Sequence, residues 1–473
     1  MSVTETAFAQ LLAIMGRERP SNVVIDEGAP ALKSKFHDDE AVSAVIAAGG
    51  LVAADLWRLR GGAEQEVRVN TREGGAALTG YTHQKFHDAS RAPRAAGPGG
   101  DPSRAAVAGF KPIGRDGRYF YLHPSFPPGM EKLLKILGVE NDPSAVDAAM
   151  LKREPMELEA AIAEAGACGA LCRTPEEWDA SEQGRILAAR PVVEVTKIAD
   201  GPPMPLPDAG AMPLSGIRVL DLTRVLAGPT CARALAQYGA DVLYITGADL
   251  PSAPSFVTDT NHGKLSAFLD LKSEAGRERL YQLLETTDVF SQGYQTGTLE
   301  KLGLSAVELA HRRPGLIYTS INAYGHEGPW RTRPGWEQLS QTVTGMAHVH
   351  GGYINEDKAP LLQPGAVADY TTGFMAALGS LIALHRRALY GGSYLVRVSL
   401  SQTATWIRKL GISDDRLAAH QALTPEETAG FLIDSETGFG RVTHLRPPVQ
   451  LSATPARWAR PVVPLGTHEP VWP

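Results

Sequence analysis

The sequence predicts an α/β protein, built on a doubly wound parallel sheet in a large domain and accompanied by a small α+β domain. Three observations support this fold class. Strand-like and helical patterns alternate from residue 216 to about residue 400, turns rich in glycine and proline separate them, and a hairpin pattern followed by helical patterns stands apart in residues 107–185. An alternating series of this kind places a ligand site at the carboxyl ends of the parallel strands.

The composition is that of a globular protein. The chain has 473 residues, of which 43% are hydrophobic and 21% are charged, and its length predicts two to four domains. The net charge of −6 is spread along the chain without a basic patch, so we expect no nucleic-acid partner. Three cysteines are too few for a disulfide framework, so we expect a cytoplasmic protein. The cysteines also lack the spacing of a metal site, so we expect no bound metal.

The ends and the apolar segments predict no targeting signal. The first 20 residues lack a basic start followed by a long apolar run, and no run of 18 apolar residues occurs anywhere. We therefore expect neither export nor a membrane span.

Changes in pattern along the chain predict six segments. They are an N-terminal extension (1–36), a partial repeat with a glycine-rich linker (37–106), the small α+β domain (107–200), a linker (201–215), the Rossmann-like large domain (216–410) and its C-terminal tail (411–473). The GPGG stretch at 97–100 is interpreted as a flexible segment or as a loop that closes over a substrate.

One helix, Gly-Gly and strand pattern occurs twice. The segment that starts at Ala47 reads AAGGLVAADLWRLRGGAEQEVRV, and the segment that starts at Ala377 reads ALGSLIALHRRALYGGSYLVRV. With this spacing Asp39 lies 330 positions before Asp369, at the start of the corresponding helix. The repeat suggests a duplicated gene, in which Asp39 is either a relic of a functional residue or a plain helix cap.

Two places in the large domain have the residue types of a reactive site. Asp369 begins the long apolar helix of the second copy, where an aspartate either caps the helix or serves as a nucleophile. After the first strand, Val225, Leu226 and Ala227 lead into a Gly-Pro turn and a helix start, whose free N–H groups favour an anion or the phosphate part of a cofactor.

Five ordered motifs resemble those of the family III CoA-transferases, the group that contains formyl-CoA and carnitine CoA-transferases and the α-methylacyl-CoA racemases. These motifs read GIRVLDLTRVLAGPTCARALAQYGADV, NHGKLSAFLDLKSEAGRERLYQLLETTDV, LEKLGL, LIYTSINAYGHEGP and GAVADYTTG. Residues 107–195 are similar to the small domain of the family, and the C-terminal tail also resembles the family's. In the family, however, the small domain follows the nucleotide-fold half, whereas here it comes first.

The resemblance implies a function and its residues. Asp369 matches the family's catalytic aspartate, which attacks an acyl-CoA thioester and carries CoA as an aspartyl thioester to a small carboxylic acid. Glu337 matches an acidic residue near that nucleophile, and Trp336 stands where the racemases have a histidine base. Because an indole is neither an acid nor a base, Trp336 favours transfer over racemisation.

The resemblance also implies how coenzyme A is bound and how the chain assembles. The positions that match CoA contacts are Val225, Leu226, Ala227, Lys272 and Lys301. Some expected contacts are missing, since the second strand ends in YITGAD where the family has an acidic residue followed by a basic one. Family members form interlocked homodimers, so we expect a homodimer in which the small domain packs on a large domain of the same or a neighbouring subunit.

Two alternatives to a CoA-transferase stay open at this stage. One is a degenerate paralogue that binds acyl-CoA or a partner subunit without turnover, suggested by the lost phosphate contacts and the unusual order of segments. The other is a CoA-dependent racemase or isomerase. The sequence does not identify the donor acyl group or the acceptor acid.

Overall fold

The computed structural model describes residues 1–93, 105–207, 210–355 and 357–473. Its strands are β1 (Val23–Asp26), β2 (Val67–Asn70), β3 (Lys85–Phe86), β4 (Gly109–Ile113), β5 (Arg118–His123), β6 (Cys168–Leu171), β7 (Glu194–Ala199), β8 (Arg218–Leu222), β9 (Asp241–Thr246), β10 (Lys264–Phe268), β11 (Val289–Gln292), β12 (Ile317–Asn322), β13 (Ser393–Ser399), β14 (Leu432–Thr437), β15 (Gly440–Leu445) and β16 (Gln450–Leu451). Its α-helices are α1 (Val3–Met15), α2 (Asp38–Leu59), α3 (Thr71–Ala77), α4 (Pro127–Leu137), α5 (Pro143–Met150), α6 (Pro155–Glu164), α7 (Pro175–Ala180), α8 (Glu182–Ala188), α9 (Ala227–Ala236), α10 (Pro254–Thr260), α11 (Glu274–Leu284), α12 (Ala306–Arg312), α13 (Glu337–Val343), α14 (Met346–Ile354), α15 (Val367–Tyr390), α16 (Leu400–Lys409), α17 (Asp414–Ala419) and α18 (Pro425–Phe431).

The largest sheet confirms the predicted fold class. Its seven strands have the order β10-β9-β8-β11-β12-β13-β7, and every pair is parallel except β13 with β7. The chain leaves β8 in one direction to form β9 and β10, and returns to its other side to form β11 and β12. A doubly wound sheet has its ligand crevice at such a reversal, beyond the carboxyl ends of the strands. That crevice lies beyond the carboxyl ends of β8 and β11.

The small domain has its own core. Strands β4, β5 and β6 form an antiparallel sheet, and helices α4, α5 and α6 cover it with a separate set of buried apolar side chains. The β4–β5 hairpin turns at Asp116 and Gly117, as its sequence predicts, and the positive φ of Gly117 (67°) suits a glycine. The sequence TPEE, which starts at Thr174, predicts a capping box, and the structure confirms it. Strand β7 follows this domain in the chain but forms the edge of the large sheet.

A second, smaller sheet repeats one edge of the large one. Its order is β1-β2-β16, with β1 parallel to β2 and β16 antiparallel to β2, just as β12, β13 and β7 are arranged. The pairing registers also match. Val69 and Asn70 face Ile25 and Asp26, while the corresponding residues Val398 and Ser399 face Ile321 and Asn322. The sequence repeat is therefore a structural repeat. Besides the helix and the strand it includes two further strands in each copy, β1 and β16 in the first and β12 and β7 in the second.

The two repeated helices pack against each other in the main core. Helices α2 and α15 are buried along most of their length, and α15 is covered on another side by α9. By length and composition both are apolar enough to cross a membrane, but 78% of the most apolar stretch of α2 and all of that of α15 is buried in the protein. Burial of this degree is typical of core helices.

Residues 71–93, within the segment predicted to contain a glycine-rich linker, are more regular than a linker. Helix α3, a 3₁₀ turn at Gly80–Thr82 and strand β3 occupy the first part of this range, and β3 pairs with β15 of the C-terminal tail. The cause is contact with the rest of the fold, because α3 packs on α2 and the 3₁₀ turn packs on α10. The GPGG stretch at 97–100 lies outside the described residues.

Candidate active site

Asp369 lies in the first turn of α15 and does not cap that helix. The residue before the helix is Ala366, and the first-turn N–H groups of Ala368 and Asp369 donate hydrogen bonds to the carboxylate of Glu337, at 3.0 Å for Ala368. Glu337 therefore accepts the hydrogen bonds that the side chain of a helix cap usually accepts. Within the described residues, none donates a hydrogen bond to the carboxylate of Asp369, which is 8% exposed.

A row of amides fixes Glu337. The side-chain amide of Gln341, one turn along α13, donates to Glu337 Oε1 at 2.6 Å, and its own oxygen accepts the backbone N–H of Gln363 at 2.7 Å. With the two N–H groups of α15, Glu337 receives three hydrogen bonds. A carboxylate with several N–H donors is stabilised in its ionised form.

Asp369 and Glu337 form a coupled pair of buried carboxyl groups. Burial and the negative charge of Glu337 raise the pKa of Asp369 well above its usual range. Burial also raises the pKa of Glu337, against the lowering effect of its hydrogen bonds from Gln341 and from the N–H groups of α15. Because hydrogen-bond donors surround the carboxylate of Glu337, we assign the proton to Asp369 when the pair holds a single proton. Asp369 then carries a full negative charge only when both groups are ionised.

Asp369 faces a cavity of about 440 Å³. The segment between β8 and α9 lines it with Val225 and Leu226, and the first turn of α9 lines it with Ala227 and Gly228. Val225 has φ 71°, an unusual conformation for a β-branched residue, and such conformations cluster at functional sites. Gly373 of α15 lies so close to Ala227 that an added Cβ would approach its carbonyl oxygen to 2.4 Å. The start of α9 and the start of α15 therefore meet at the cavity.

The small domain of the same chain supplies the opposite wall. Ser125 and Phe126, which follow β5, line the cavity together with Cys168 of β6 and Trp336 of the large domain. The indole of Trp336 donates to Ser125 Oγ at 2.8 Å. The sequence left open whether the small domain packs on a large domain of the same or of a neighbouring subunit. In this structure it packs on the large domain of the same chain.

A buried network holds the two helix starts. Asp259 of α10 accepts a hydrogen bond from the hydroxyl of Tyr370 at 2.7 Å and pairs with Arg233 of α9 at 2.8 Å. The same hydroxyl accepts the N–H of Tyr81 at 3.1 Å. The Ala366 N–H donates to the carbonyl of Leu78 at 3.0 Å. The N-terminal repeat thus supports the residues on both sides of Asp369.

The predicted CoA-binding residues divide into two groups. Val225, Leu226 and Ala227 line the cavity with Asp369, whereas Lys272 and Lys301 are not among its lining residues. Lys272 is exposed and pairs with Asp249 at 2.9 Å, and Lys301 is also exposed. The cations that do line the cavity are Lys132, Arg224 and Arg333.

Sequence reasoning missed several of these residues. Strand β5 ends at His123 and the loop after it carries Ser125 and Phe126, and their only signal was an aromatic and polar run at the end of a strand. Gln341 lies four residues after Glu337, a helical spacing that would have placed both side chains on one face. Tyr370 gave no signal beyond standing next to Asp369.

Asp39, at the matching position of the first copy, has different surroundings. Its carboxylate accepts a hydrogen bond from the Ala31 N–H at 2.9 Å and pairs with Arg416 of α17 at 2.8 Å, and both side chains are almost fully buried. The residue before α2 is His37, so Asp39 is not a helix cap. Among the residues that the structure describes, no group of three or more His, Cys, Asp or Glu side chains is placed to hold a metal ion.

Comparison with known proteins agrees with these motifs. Residues 214–431 match the model of CoA-transferase family III. An acyl-CoA transferase of Gibberella moniliformis is 33% identical over 306 residues, which cover 60% of this chain and 53% of that protein. A formyl-CoA:oxalate CoA-transferase of Afipia carboxidovorans is 33% identical over 225 residues, covering 45% and 52%.

The other relatives cover a similar share. The succinyl-CoA–L-malate CoA-transferase beta subunit of Chloroflexus aurantiacus is 35% identical over 201 residues, which cover 39% of this chain and 48% of that subunit. The crystal structure of a CAIB/BAIF family protein from Brucella suis is 25% identical, with a TM-score of 0.39 and coverage of 49% and 65%. The chain spans about half the length of these curated relatives. Residues 214–431 of this chain therefore match CoA-transferase family III, in agreement with the ordered motifs.

Proposed function

We propose that the protein transfers CoA from an acyl-CoA donor to a carboxylic acid acceptor, with Asp369 as the covalent carrier. One observation carries this proposal. The carboxylate of Asp369 is buried, faces a cavity between two domains and receives no hydrogen bond from the described residues, while the neighbouring Glu337 binds the helix N–H groups in its place. A carboxylate with few hydrogen bonds and little water is a stronger nucleophile than one in solution.

The donor half of the reaction has two steps. An oxygen of ionised Asp369 attacks the thioester carbonyl carbon, so a C–O bond forms, the C–S bond breaks, and CoA leaves as a thiolate. The products are an anhydride between Asp369 and the acyl group and bound CoA thiolate. The thiolate then attacks the aspartyl carbonyl carbon, which releases the donor acid as a carboxylate and leaves Asp369 as a CoA thioester.

The acceptor half reverses these steps with another acid. The acceptor carboxylate attacks the aspartyl thioester, and CoA thiolate leaves again. The thiolate attacks the acceptor carbonyl of the new anhydride, which forms acceptor-CoA and frees the carboxylate of Asp369. No net proton is taken up or released, so the site needs no general acid or base.

The surroundings of Asp369 fit this chemistry. The start of α9 meets the start of α15 at the cavity, and N–H groups at a helix start stabilise the oxyanion of a tetrahedral intermediate. The backbone of Val225, Leu226 and Ala227 and the side chains of Lys132 and Arg224 are suitable for the phosphate and pantetheine parts of CoA.

Racemisation has less support. It requires an acid and a base on opposite sides of the α-carbon, and Trp336 at the relevant wall offers neither. His123 lies behind that indole and is not among the lining residues of the cavity.

Intact-protein mass spectrometry tests the proposal. The wild type is mixed with a panel of acyl-CoAs and quenched with hydroxylamine, which converts an activated aspartyl group into a hydroxamate. We expect a modification that maps to Asp369, is absent from Asp369→Ala and persists in Asp39→Asn, the matched control in the first copy. Measurable CoA binding without any modification would instead favour the paralogue without turnover.

A further inference from the structure

We propose that Trp336 limits the length of the acyl group, and that the donor carries a short acyl chain without a terminal charge. This inference rests on the proposed function, and it names the substrate class of the same cavity. The wall in question, here called the aromatic wall, consists of Phe126, Trp336 and the imidazole of His123 behind the indole. The wall begins next to Glu337, which touches the N–H of the nucleophile.

The indole of Trp336 is held in three ways. Its N–H donates to Ser125 Oγ at 2.8 Å, its face stacks on His123 with ring centroids 5.3 Å apart and 14° between planes, and the edge contact with Phe126 measures 5.9 Å. All three partners come from the small domain, whereas Trp336 belongs to the large domain. A side chain held by three partners of the other domain forms a rigid wall, and a rigid wall limits the size of a ligand more sharply than a mobile one.

The aromatic wall and the groups beneath it are neutral. Burial lowers the pKa of His123 to about 4, so its imidazole is uncharged at physiological pH. Burial also raises the pKa of the Cys168 thiol, which keeps it protonated. A neutral, mainly apolar wall offers no partner for a terminal carboxylate of the acyl group.

The cations of the cavity lie beside this wall and all three already have partners, Lys132 through a hydrogen bond to the carbonyl of Gly166 at 3.3 Å. Arg224 lies over the ring of Phe126 at 5.7 Å and donates to the carbonyl of Pro251. Arg333 lies 3.5 Å from the carboxylate of Glu159 and 4.2 Å from the ring of Trp330. An acyl-CoA has an anionic nucleotide end and an apolar acyl end, and a cavity lined by three cations and by a neutral aromatic wall has groups that suit each end.

The experiment compares wild type with Trp336→Ala, Trp336→Phe and the control Trp406→Ala, whose indole lies on α16 and bonds to Gln10 far along the chain. Turnover is measured with acetyl-, butyryl-, hexanoyl- and octanoyl-CoA. Binding is measured by calorimetry with the matching S-alkyl-CoA thioethers, which lack the carbonyl that Asp369 attacks. Thermal unfolding establishes that each variant is folded, and Trp336→Phe retains the stack if Trp336→Ala does not fold.

The expected result is a change in chain-length preference. In wild type, kcat/KM and affinity fall from butyryl to octanoyl, and in Trp336→Ala the octanoyl-to-butyryl ratio rises by about tenfold or more, the scale of a lost steric limit in an apolar pocket. Trp336→Phe gives a smaller rise, and Trp406→Ala gives none. In wild type we also expect butyryl-CoA to be used better than succinyl-CoA, which is equal in length and carries a carboxylate.

The failures of the two proposals are distinguishable. Normal turnover with an unchanged chain-length ratio in folded Trp336 variants would overturn the role of Trp336 and leave the transferase intact. The transferase proposal would be overturned if no acyl-CoA is turned over. If Trp336→Ala at the same time changes the chain-length dependence of thioether affinity, Trp336 is retained as the wall of an acyl-CoA binding site. A preference of about tenfold for succinyl-CoA over butyryl-CoA would overturn the neutral substrate class and point to Arg333 as its partner.

Discussion

The two copies of the repeated helix hold an aspartate at the same position in opposite environments. In α15 the carboxylate of Asp369 faces a cavity, lies beside a second carboxylate and receives no hydrogen bond from the described residues. In α2 the carboxylate of Asp39 is paired with Arg416 and with a backbone N–H. The residue that follows shows the same contrast, because Tyr370 bonds to Asp259 whereas Glu40 bonds to Arg416.

This difference shows that the neighbouring side chains, rather than the position in the helix, determine whether an aspartate is available for chemistry. Both helices place the carboxyl group in the first turn, near the positive end of the helix dipole. In the second copy the helix N–H groups are satisfied by Glu337, so Asp369 is available for chemistry. In the first copy Arg416 forms an ion pair with Asp39 at 2.8 Å, and an ion-paired carboxylate is a poor nucleophile. Of the two alternatives for Asp39, the structure excludes the plain cap, and the relic remains a hypothesis.

The largest effect in this comparison is expected from Arg416→Met. Arg416 is almost fully buried and pairs with both Asp39 and Glu40. Its removal leaves buried carboxylates without a cation, so we expect the free energy of unfolding to fall by about 3–5 kcal/mol. Urea unfolding followed by circular dichroism measures this change.

The matched variant in the other copy is Asp369→Asn. It replaces a buried carboxyl group that lies beside a second one, and we expect the free energy of unfolding to stay the same or to rise. Equal losses of stability in Arg416→Met and Asp369→Asn would mean that the two aspartates share one structural role. Such a result would argue against the division between a paired and an available carboxylate.

The second effect concerns pH and the charge of Glu337. Because the pKa of Asp369 is raised, activity falls as the pH drops through that pKa and Asp369 takes up a proton. In Glu337→Gln the neighbouring negative charge is gone, so the pKa of Asp369 falls and the acid limb of kcat/KM moves to lower pH. We also expect kcat to fall by about 10- to 100-fold, since a hydrogen bond to a charged group contributes about 1.5–3 kcal/mol.

The pH profile of kcat/KM is the measurement, and Glu278→Gln on the exposed side of α11 is the control. The control changes the same net charge without touching the site, so its acid limb should coincide with that of wild type. An acid limb that stays in place in Glu337→Gln would show that Glu337 does not set the pKa of Asp369.

Local patterns in the sequence were enough for most of the fold. The alternation from residue 216 onward predicted the doubly wound sheet, and the Asp116-Gly117 turn and the Thr174 capping box were read from two or three residues each. These features depend on neighbours in the chain, which a single sequence displays. The repeat of helix and strand was visible for the same reason, whereas its strands β1 and β16 are too short to give a pattern of their own.

The parts of the site that were missed depend on contacts between distant segments. Arg416 is 377 residues from Asp39, and Trp336 is 211 residues from Ser125. Lys272 and Lys301 illustrate a different case, because each matched a motif and is exposed, and neither is among the lining residues of the cavity. A motif identifies the residue type, and only the fold determines which groups it meets.

The third effect concerns the residue that follows each aspartate, and Tyr370→Phe tests whether that residue supports the site. Removing the hydroxyl leaves Asp259 paired with Arg233 alone and the Tyr81 N–H without its acceptor, so we expect a loss of about 1–3 kcal/mol in the free energy of unfolding.

Because Tyr370 adjoins Asp369, we also expect kcat for CoA transfer to fall by a few-fold while KM changes little. The counterpart Glu40→Gln weakens its bond to Arg416 and is expected to lower stability by about 1 kcal/mol without any change in kcat, since the bond of a partly exposed pair contributes little. A fall in kcat for Glu40→Gln equal to that for Tyr370→Phe would contradict this contrast, because both copies would then support the reaction, and Asp39 would have to be regarded as part of a working site.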